Sequence, residues 1–236
     1  EIPLRLVGSE MCIRDSLQGE RFFCRYERET QVAMPGYYSV KLADMNIDVE
    51  LTVTERTAMH KYTFNQPGEA NLLLDLQNGL VFNSKNIRYR VLEGEVEMLD
   101  NKTIAGYNRV RGWVARYFYY MIVFDRPYTV KKELPQEEGE KAKRFILEFD
   151  LKEGESVQVK VALSTVGIEG AKMALDKENP GWNFESIKAE TNGKWNDMLS
   201  LVEVEGTEEE KMNFYTSMYH LFIQPTNIAD IDGKYR

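Results

Sequence analysis

Ile47-Asp48-Val49-Glu50-Leu51-Thr52-Val53-Thr54 alternates apolar and polar residues without a break. Successive side chains of an extended strand point to opposite faces. This period of two therefore predicts a strand with Ile47, Val49, Leu51 and Val53 on a buried face and Asp48, Glu50, Thr52 and Thr54 on a wet one. Downstream, residues 72–76 and 80–82 are apolar runs joined through Gln77-Asn78-Gly79. Asn-Gly tolerates the positive φ that a type I′ hairpin turn requires at both central positions. Residues 87–92, 96–99 and 103–110 read as short strands, with turns expected at Glu93-Gly94 and Asp100-Asn101. Residues 114–124 are rich in aromatic and β-branched side chains and end at Asp125-Arg126-Pro127. Residues 131–143 are charged and interrupted by Pro135 and Gly139, which predicts an exposed loop. Residues 145–151 and 157–163 are expected to pair around Lys152-Glu153-Gly154. Many short strands with no helical pattern between them predict an antiparallel β-sandwich.

The period changes after Ser164. Residues 168–175 suit a short helix ended by Asn179-Pro180-Gly181. Ile187, Thr191, Trp195, Met198 and Val202 then fall near one helical face, with Gly193 a point of weakness or a break. Thr207-Glu208-Glu209-Glu210 is a capping-box pattern, and its acidic first turn complements the helix dipole. Met212, Tyr215, Tyr219 and Phe222 form a stripe expected to be buried, with Pro225 ending the helix. The fold class is mainly β: an antiparallel, supersandwich-like β-sandwich followed by connector helices and the opening helix of an all-α domain. The divisions expected are 1–20 as a terminal stretch outside the fold, 21–165 as the sandwich, 166–205 as the connector and 206–236 as the start of the helical domain.

Composition excludes several classes of function. The 236 residues carry 30 Lys+Arg against 38 Asp+Glu, a formal net charge of −8. With no basic block, the chain is not built for nucleic acid. Residues 117–124 are the longest apolar run, far short of the roughly 20 residues of a membrane-spanning helix. Two Cys and two His show no zinc-ligand spacing. Triad chemistry would have to use His60 or His220, which is poor material for it. Residues 7–16 resemble translated library adapter rather than natural sequence, which would leave Cys24 as the natural thiol. The chain reads as a piece cut at both ends.

Several residues invite two readings. Trp113, Tyr117, Tyr119 and Tyr120 offer faces on which sugar rings stack, or they form sandwich core and a half-exposed strand. His60 is either a ligand contact or a surface or cross-strand residue. His220 near a helix C-terminus suits the dipole. Asn101-Lys102-Thr103 fits a glycosylation sequon at an expected turn. Asp230 and Asp232, followed by Gly233, are either oxygen donors for a hard cation or turn residues bonded to their own backbone.

Taken in order, the pieces carry a family resemblance. Ala33-Met-Pro-Gly-Tyr-Tyr38, Asp48-Val-Glu-Leu-Thr-Val-Thr-Glu-Arg56 and His60-Lys-Tyr-Thr-Phe64 resemble the sandwich domain of glycoside hydrolase family 92. Ser164 with Ile168-Glu-Gly-Ala171, Trp195-Asn-Asp-Met-Leu199, Phe214-Tyr-Thr-Ser-Met-Tyr-His220, Pro225 and Asp230-Ile-Asp-Gly-Lys-Tyr-Arg236 resemble the run from its connector into an α/α toroid. The resemblance implies a calcium-dependent, exo-acting, inverting α-mannosidase whose cleft lies between sandwich and toroid. An acid and a base would stand about 6.5–9.5 Å apart across it. It implies mannose-containing glycans, N-glycans among them, as partners. It also implies a missing C-terminal toroid that holds the acid, the base and the Ca2+ ligands. It assigns no catalytic residue and no metal ligand in this chain; it offers Asp232 and Tyr235 as lining the substrate pocket or supporting the residues that do, with a purely structural role for the loop of residues 230–236 as the alternative. The compartment it implies is secreted, periplasmic or cell-surface in a bacterium. The alternatives are a non-catalytic carbohydrate-binding β-sandwich module and a sandwich that mediates contacts between chains.

Overall fold

The computed structural model describes residues 25–77, 90–111, 114–136, 138–224 and 226–236. Among these, eleven strands precede three helices. The strands are β1 (Tyr26–Met34), β2 (Tyr37–Leu42), β3 (Ile47–Val53), β4 (Thr57–Phe64), β5 (Ala70–Asp75), β6 (Arg90–Met98), β7 (Thr103–Arg111), β8 (Ala115–Phe124), β9 (Thr129–Glu133), β10 (Arg144–Phe149) and β11 (Ser156–Ser164). The helices are α1 (Ile168–Glu178), α2 (Phe184–Leu199) and α3 (Glu208–Phe222). The change from strands to helices falls directly after Ser164, where the sequence pattern changes period.

One sheet has eight strands in the order β1-β2-β3-β4-β11-β8-β7-β6, and a three-stranded sheet β5-β10-β9 lies across it. Every pairing is antiparallel. Ile47, Val49, Phe64, Ile122 and Val157 of the large sheet share a core with Leu72, Leu74, Phe145 and Leu147 of the small one. Phe124 and Phe149 meet across it with ring centroids 5.3 Å apart. Burying each such side chain contributes about 1.5–3 kcal/mol, which makes this interlayer the main source of cohesion.

The outer face of the large sheet carries helices. Ala171, Ala174 and Leu175 of α1 pack on Ala105, Met121 and Ala162, small side chains that let the helix approach closely. Phe184 and Ile187 of α2 pack on Met59. Tyr37 meets Phe184 edge-on, and Lys188 Nζ lies 3.7 Å from the centroid of the Tyr37 ring.

The structure corrects several local expectations. Residues 145–151 and 157–163 do not pair: β10 joins β5 and β9, while β11 joins β4 and β8. The loop around Gly154 therefore crosses from one sheet to the other. Both strands are apolar enough to be central, and alternation does not reveal which sheet a strand enters. Glu93-Gly94 is not a turn but part of β6, where the register slips between Val91 and Glu93. A side chain at Gly94 would press on Asn108 and Ala142, so the glycine marks a close approach within a strand. Within the expected loop at 131–143, Thr129–Glu133 forms the exposed edge strand β9, its Lys131 paired with Glu69 and Glu148. Lysines on such an edge discourage further strand addition.

In β3 the expected wet face is covered at one end. Thr52 is buried and donates to Gly36 O at 2.8 Å, because α2 lies over it. Leu51 and Val53, expected to be buried, are only half-buried. Helix α2 runs through Gly193 without a break. No residue of α3 is buried, Met212 is 69% exposed, and Tyr215, Tyr219 and Phe222 are half-buried. The expected buried stripe meets α2, where Trp195 and Tyr219 stand 4.7 Å apart, and Tyr215 donates to Val202 O at 3.1 Å just beyond that helix. The capping box is present: Thr207 Oγ1 accepts from Glu210 N, and Glu210 Oε2 accepts from Thr207 N at 2.8 Å. The expected divisions at 1–20, the adapter-like 7–16, Cys12, Cys24, the Asn78-Gly79 hairpin with residues 80–82, residues 87–89, Trp113 and Pro225 lie outside the described residues.

Candidate functional site

The loop after α3 carries both residues placed at a substrate pocket by resemblance. Asp230 N donates to Lys234 O at 2.7 Å, and Gly233 N donates to Asp230 O at 2.9 Å. Gly233 has φ +82°, a left-handed conformation that favours glycine and explains its place in this turn. Asn227 Oδ1 accepts from Ala229 N at 3.0 Å and stiffens the approach. The turn separates the two aspartates. Asp230 is 5% exposed, and its Oδ2 accepts from Ser164 Oγ at 2.6 Å. Asp232 faces outward, accepting from Lys234 N at 3.1 Å and from Lys234 Nζ at 2.6 Å. That ammonium holds the Asp232 carboxyl below the usual carboxylate range. Tyr235 is 73% exposed.

Asp232 bonds its own turn, as the turn reading has it, whereas the Asp230 side chain reaches Ser164 instead. Asp230 Oδ2 is committed to Ser164 and both Asp232 oxygens to Lys234, so the pair does not converge on a cation. Among the described residues, no group of three or more His, Cys, Asp or Glu side chains is placed to hold a metal ion. The described residues do not fit a calcium site.

The loop is tied to the sandwich by residues that sequence reasoning did not single out. Arg56, in the β3–β4 turn, donates from Nε to Ala229 O at 2.9 Å and from Nη1 to Glu178 Oε1 at 2.8 Å. Glu178 Oε2 accepts from Thr54 Oγ1 at 2.6 Å and Arg56 N at 2.9 Å. Lys160, buried on β11, donates to Asn179 O at 2.7 Å and lies 4.3 Å from the Trp182 ring centroid. Burial lowers its ammonium pKa. A Lys in an alternating strand looks like an outward-facing residue. Only the helix laid over that face makes it a buried donor to the end of α1.

The aromatic candidates divide. Tyr120 is fully buried and donates to Glu95 O at 2.9 Å, so it belongs to the core. Tyr117 and Tyr119 are half-buried, with ring centroids 6.1 Å apart and planes 19° from parallel. Tyr107, across the strand pair, lies 5.7 Å from each. Arg109 lies 5.5 Å from the Tyr117 centroid. Tyr107 donates to Glu93 Oε1 at 2.7 Å, and that bond pushes its phenol up to about 12. His60 is a cross-strand residue of β4, opposite Leu51 and Val159, and not a surface one. It is buried, its Nδ1 lies 2.9 Å from Tyr62 Oη, its Nε2 has no hydrogen-bond partner among the described residues, and burial lowers its pKa to about 4. His220 lies exposed in the last turn of α3. Asn101 is exposed in the β6–β7 turn.

No described helix is long and apolar enough to cross a membrane. No curated protein matches the chain. Among solved structures, the chain is similar to the family GH92 alpha-mannosidase BT3965 from Bacteroides thetaiotaomicron, with 28% identity and a TM-score of 0.79, covering 91% of this chain and 30% of that one. The complex of that enzyme with mannoimidazole gives 27% identity and a TM-score of 0.78, covering 90% of this chain and 29% of that one. The Family GH92 inverting mannosidase BT2199 from Bacteroides thetaiotaomicron shares the fold at 20% identity, with a TM-score of 0.75, covering 89% of this chain and 29% of that one. The chain thus spans about a third of the length of these relatives. The model of the glycosyl hydrolase family 92 N-terminal domain matches residues 12–164, and that of the family 92 catalytic domain matches residues 170–236. With both models matching in order along one chain, and the change of fold falling between them, this chain belongs to glycosyl hydrolase family 92.

Proposed function

We propose that the protein containing this chain is an exo-acting α-mannosidase that trims terminal mannose from glycans, N-glycans among them. The observation that carries this reading is the paired match: sandwich and catalytic-domain opening occur together, on the fold of an alpha-mannosidase that binds mannoimidazole. In this reading the described residues supply the scaffold and one rim of the cleft. Asp232 and Tyr235, exposed on a rigid turn, contact substrate hydroxyls and the sugar face. The acid and the base lie in the rest of the toroid. Inversion, with a water admitted between two carboxyl groups, and calcium dependence belong to the proposal through the family resemblance. The calcium ligands then lie outside the described residues. Action on exported glycans places the protein in the periplasm, at the cell surface or outside a bacterium.

The test uses the full-length protein with an aryl α-mannoside. Release of β-mannose, seen as the first-formed anomer by NMR, loss of turnover on chelation and recovery with Ca2+ support the proposal. Absence of turnover refutes it. The 236-residue chain alone is expected to be inactive, and chelator-sensitive turnover by it would overturn the placement of the acid and base.

A second reading draws on the Tyr107–Tyr117–Tyr119 patch. In it the sandwich is a carbohydrate-binding module without hydrolysis. Binding of mannosides by the chain, lost in Tyr117→Ala, together with an inactive full-length protein, would favour that reading.

A further inference from the structure

The turn bearing Asp232 and Tyr235 falls in the catalytic-domain match, yet its fixed points are in the sandwich. We propose that Ser164 and Arg56 are positioning residues: they latch Asp230 and Ala229 to the sandwich and so hold the substrate rim at the cleft. This rests on the reading of the protein as an α-mannosidase whose pocket includes Asp232 and Tyr235.

The Ser164 hydroxyl has one donor and two acceptor sites, and all are used. It accepts from Val166 N at 2.9 Å and Gly167 N at 3.1 Å, which turns the chain from β11 into α1. It donates to Asp230 Oδ2 at 2.6 Å, a short bond of the charge-assisted kind. A carboxylate as buried as Asp230 needs further compensation, and the first turn of α1 provides it. Gly170, in that turn, lies so close that an added methyl would overlap Asp230 Oδ2 and come within 2.6 Å of Ser164 Oγ. The carboxylate thus sits against the positive end of α1. Only glycine leaves room for it.

The same aspartate closes the turn with its backbone, through Lys234 O and Gly233 N. Fixing Asp230 therefore fixes the peptide segment that presents Asp232. Arg56 adds the second tie through Ala229 O, itself held rigid by Glu178 at the far end of α1. Thr165 Oγ1 reaches Ile228 O at 3.4 Å. Three successive residues of the loop, 228–230, are thus held from the β3–β4 turn and the β11–α1 junction. A rim held this way meets substrate and transition state alike, so loosening it raises KM more than it lowers kcat.

The test compares Ser164→Thr with Ser164→Val in the full-length protein. The two replacements have nearly the same shape and differ in the hydroxyl. Expected is a KM for an aryl α-mannoside about tenfold higher in the Val variant than in the Thr variant, with kcat within about threefold. Amide exchange at Asp230 and Gly233 is expected to be at least about tenfold faster in the Val variant. Equal KM and equal exchange overturn the latch. Faster exchange with unchanged KM overturns the positioning role. Should the wild-type protein lack α-mannosidase turnover, the functional reading fails and the positioning role with it, while the exchange comparison still decides whether the latch exists. Arg56→Met attacks the same loop from the other side and must change KM and exchange in the same direction. If the Ser164 variants do not fold, that result decides.

Discussion

His60 makes the sandwich acid-sensitive by an amount that follows from its burial. Its imidazole is 2% exposed, has Tyr62 Oη at 2.9 Å from Nδ1, and has no partner at Nε2 among the described residues. Desolvation lowers the pKa from 6.5 to about 4. In the unfolded chain the same residue titrates near its ordinary value. Above about pH 6.5 both states are neutral and stability is independent of this group. As the pH falls from 6.5 toward 4, the unfolded state takes up a proton that the folded state refuses, so stability is lost with falling pH. The fall from 6.5 to about 4, at about 1.36 kcal/mol per pH unit, corresponds to about 3 kcal/mol. Replacing His60 with Gln keeps a polar partner for Tyr62 and removes the titration. Urea unfolding of the wild type and H60Q at steps between pH 7.5 and 4 measures the difference directly. Carboxylates contribute equally to both curves and cancel. The wild type is expected to lose about 3 kcal/mol more than H60Q over that interval. Parallel curves would refute the reasoning, as would an NMR titration of His60 centred near 6.5.

Thr207→Ala removes half of the capping box on a helix with little tertiary support. It is expected to cost about 1 kcal/mol of α3 stability, read as faster amide exchange over Glu208–Phe222 with the strands unchanged. Glu93→Gln takes the charged acceptor away from Tyr107, whose phenol should fall from about 12 toward 10, followed by its ring carbon shift in a pH series. Lys160→Met leaves Asn179 O buried without a donor and breaks the contact with Trp182. A loss of about 1–3 kcal/mol is expected, measured by thermal unfolding.

The sheet-to-helix change was legible because it is a change of period. Apolar residues alternate in β3 and β11, and their spacing shifts after Ser164. The capping box at Thr207 and the turn at Asp100-Asn101 were legible for the same reason, being local chemistry. What alternation cannot encode is which strand meets which. The pairing of β10 with β5 rather than β11 depends on apolar faces that are equivalent on paper. Nor does a strand pattern announce that helices will cover its polar face, which is why Thr52 is buried against expectation and Lys160 is buried at all. At the candidate site, the i, i+2 aspartates were visible but their division of labour was not. It depends on Ser164, 66 residues earlier, and on space left by Gly170. Tyr215, Tyr219 and Phe222 have the spacing of a buried stripe, but spacing does not say whether a covering layer is present.

The crossing at Gly154 also bears on how the protein is made. Strand β4 finds its second neighbour only in β11, where Thr63 pairs with Ser156 and Thr57 with Ala162. About a hundred residues separate these partners, and at about 5–20 residues per second a ribosome takes roughly 5–20 s to supply them. During that interval the β1–β4 meander has an open, apolar flank available to any passing chain. Synthesis speed and chaperone occupancy over residues 65–155 should therefore govern yield more strongly than the stability of the finished sandwich.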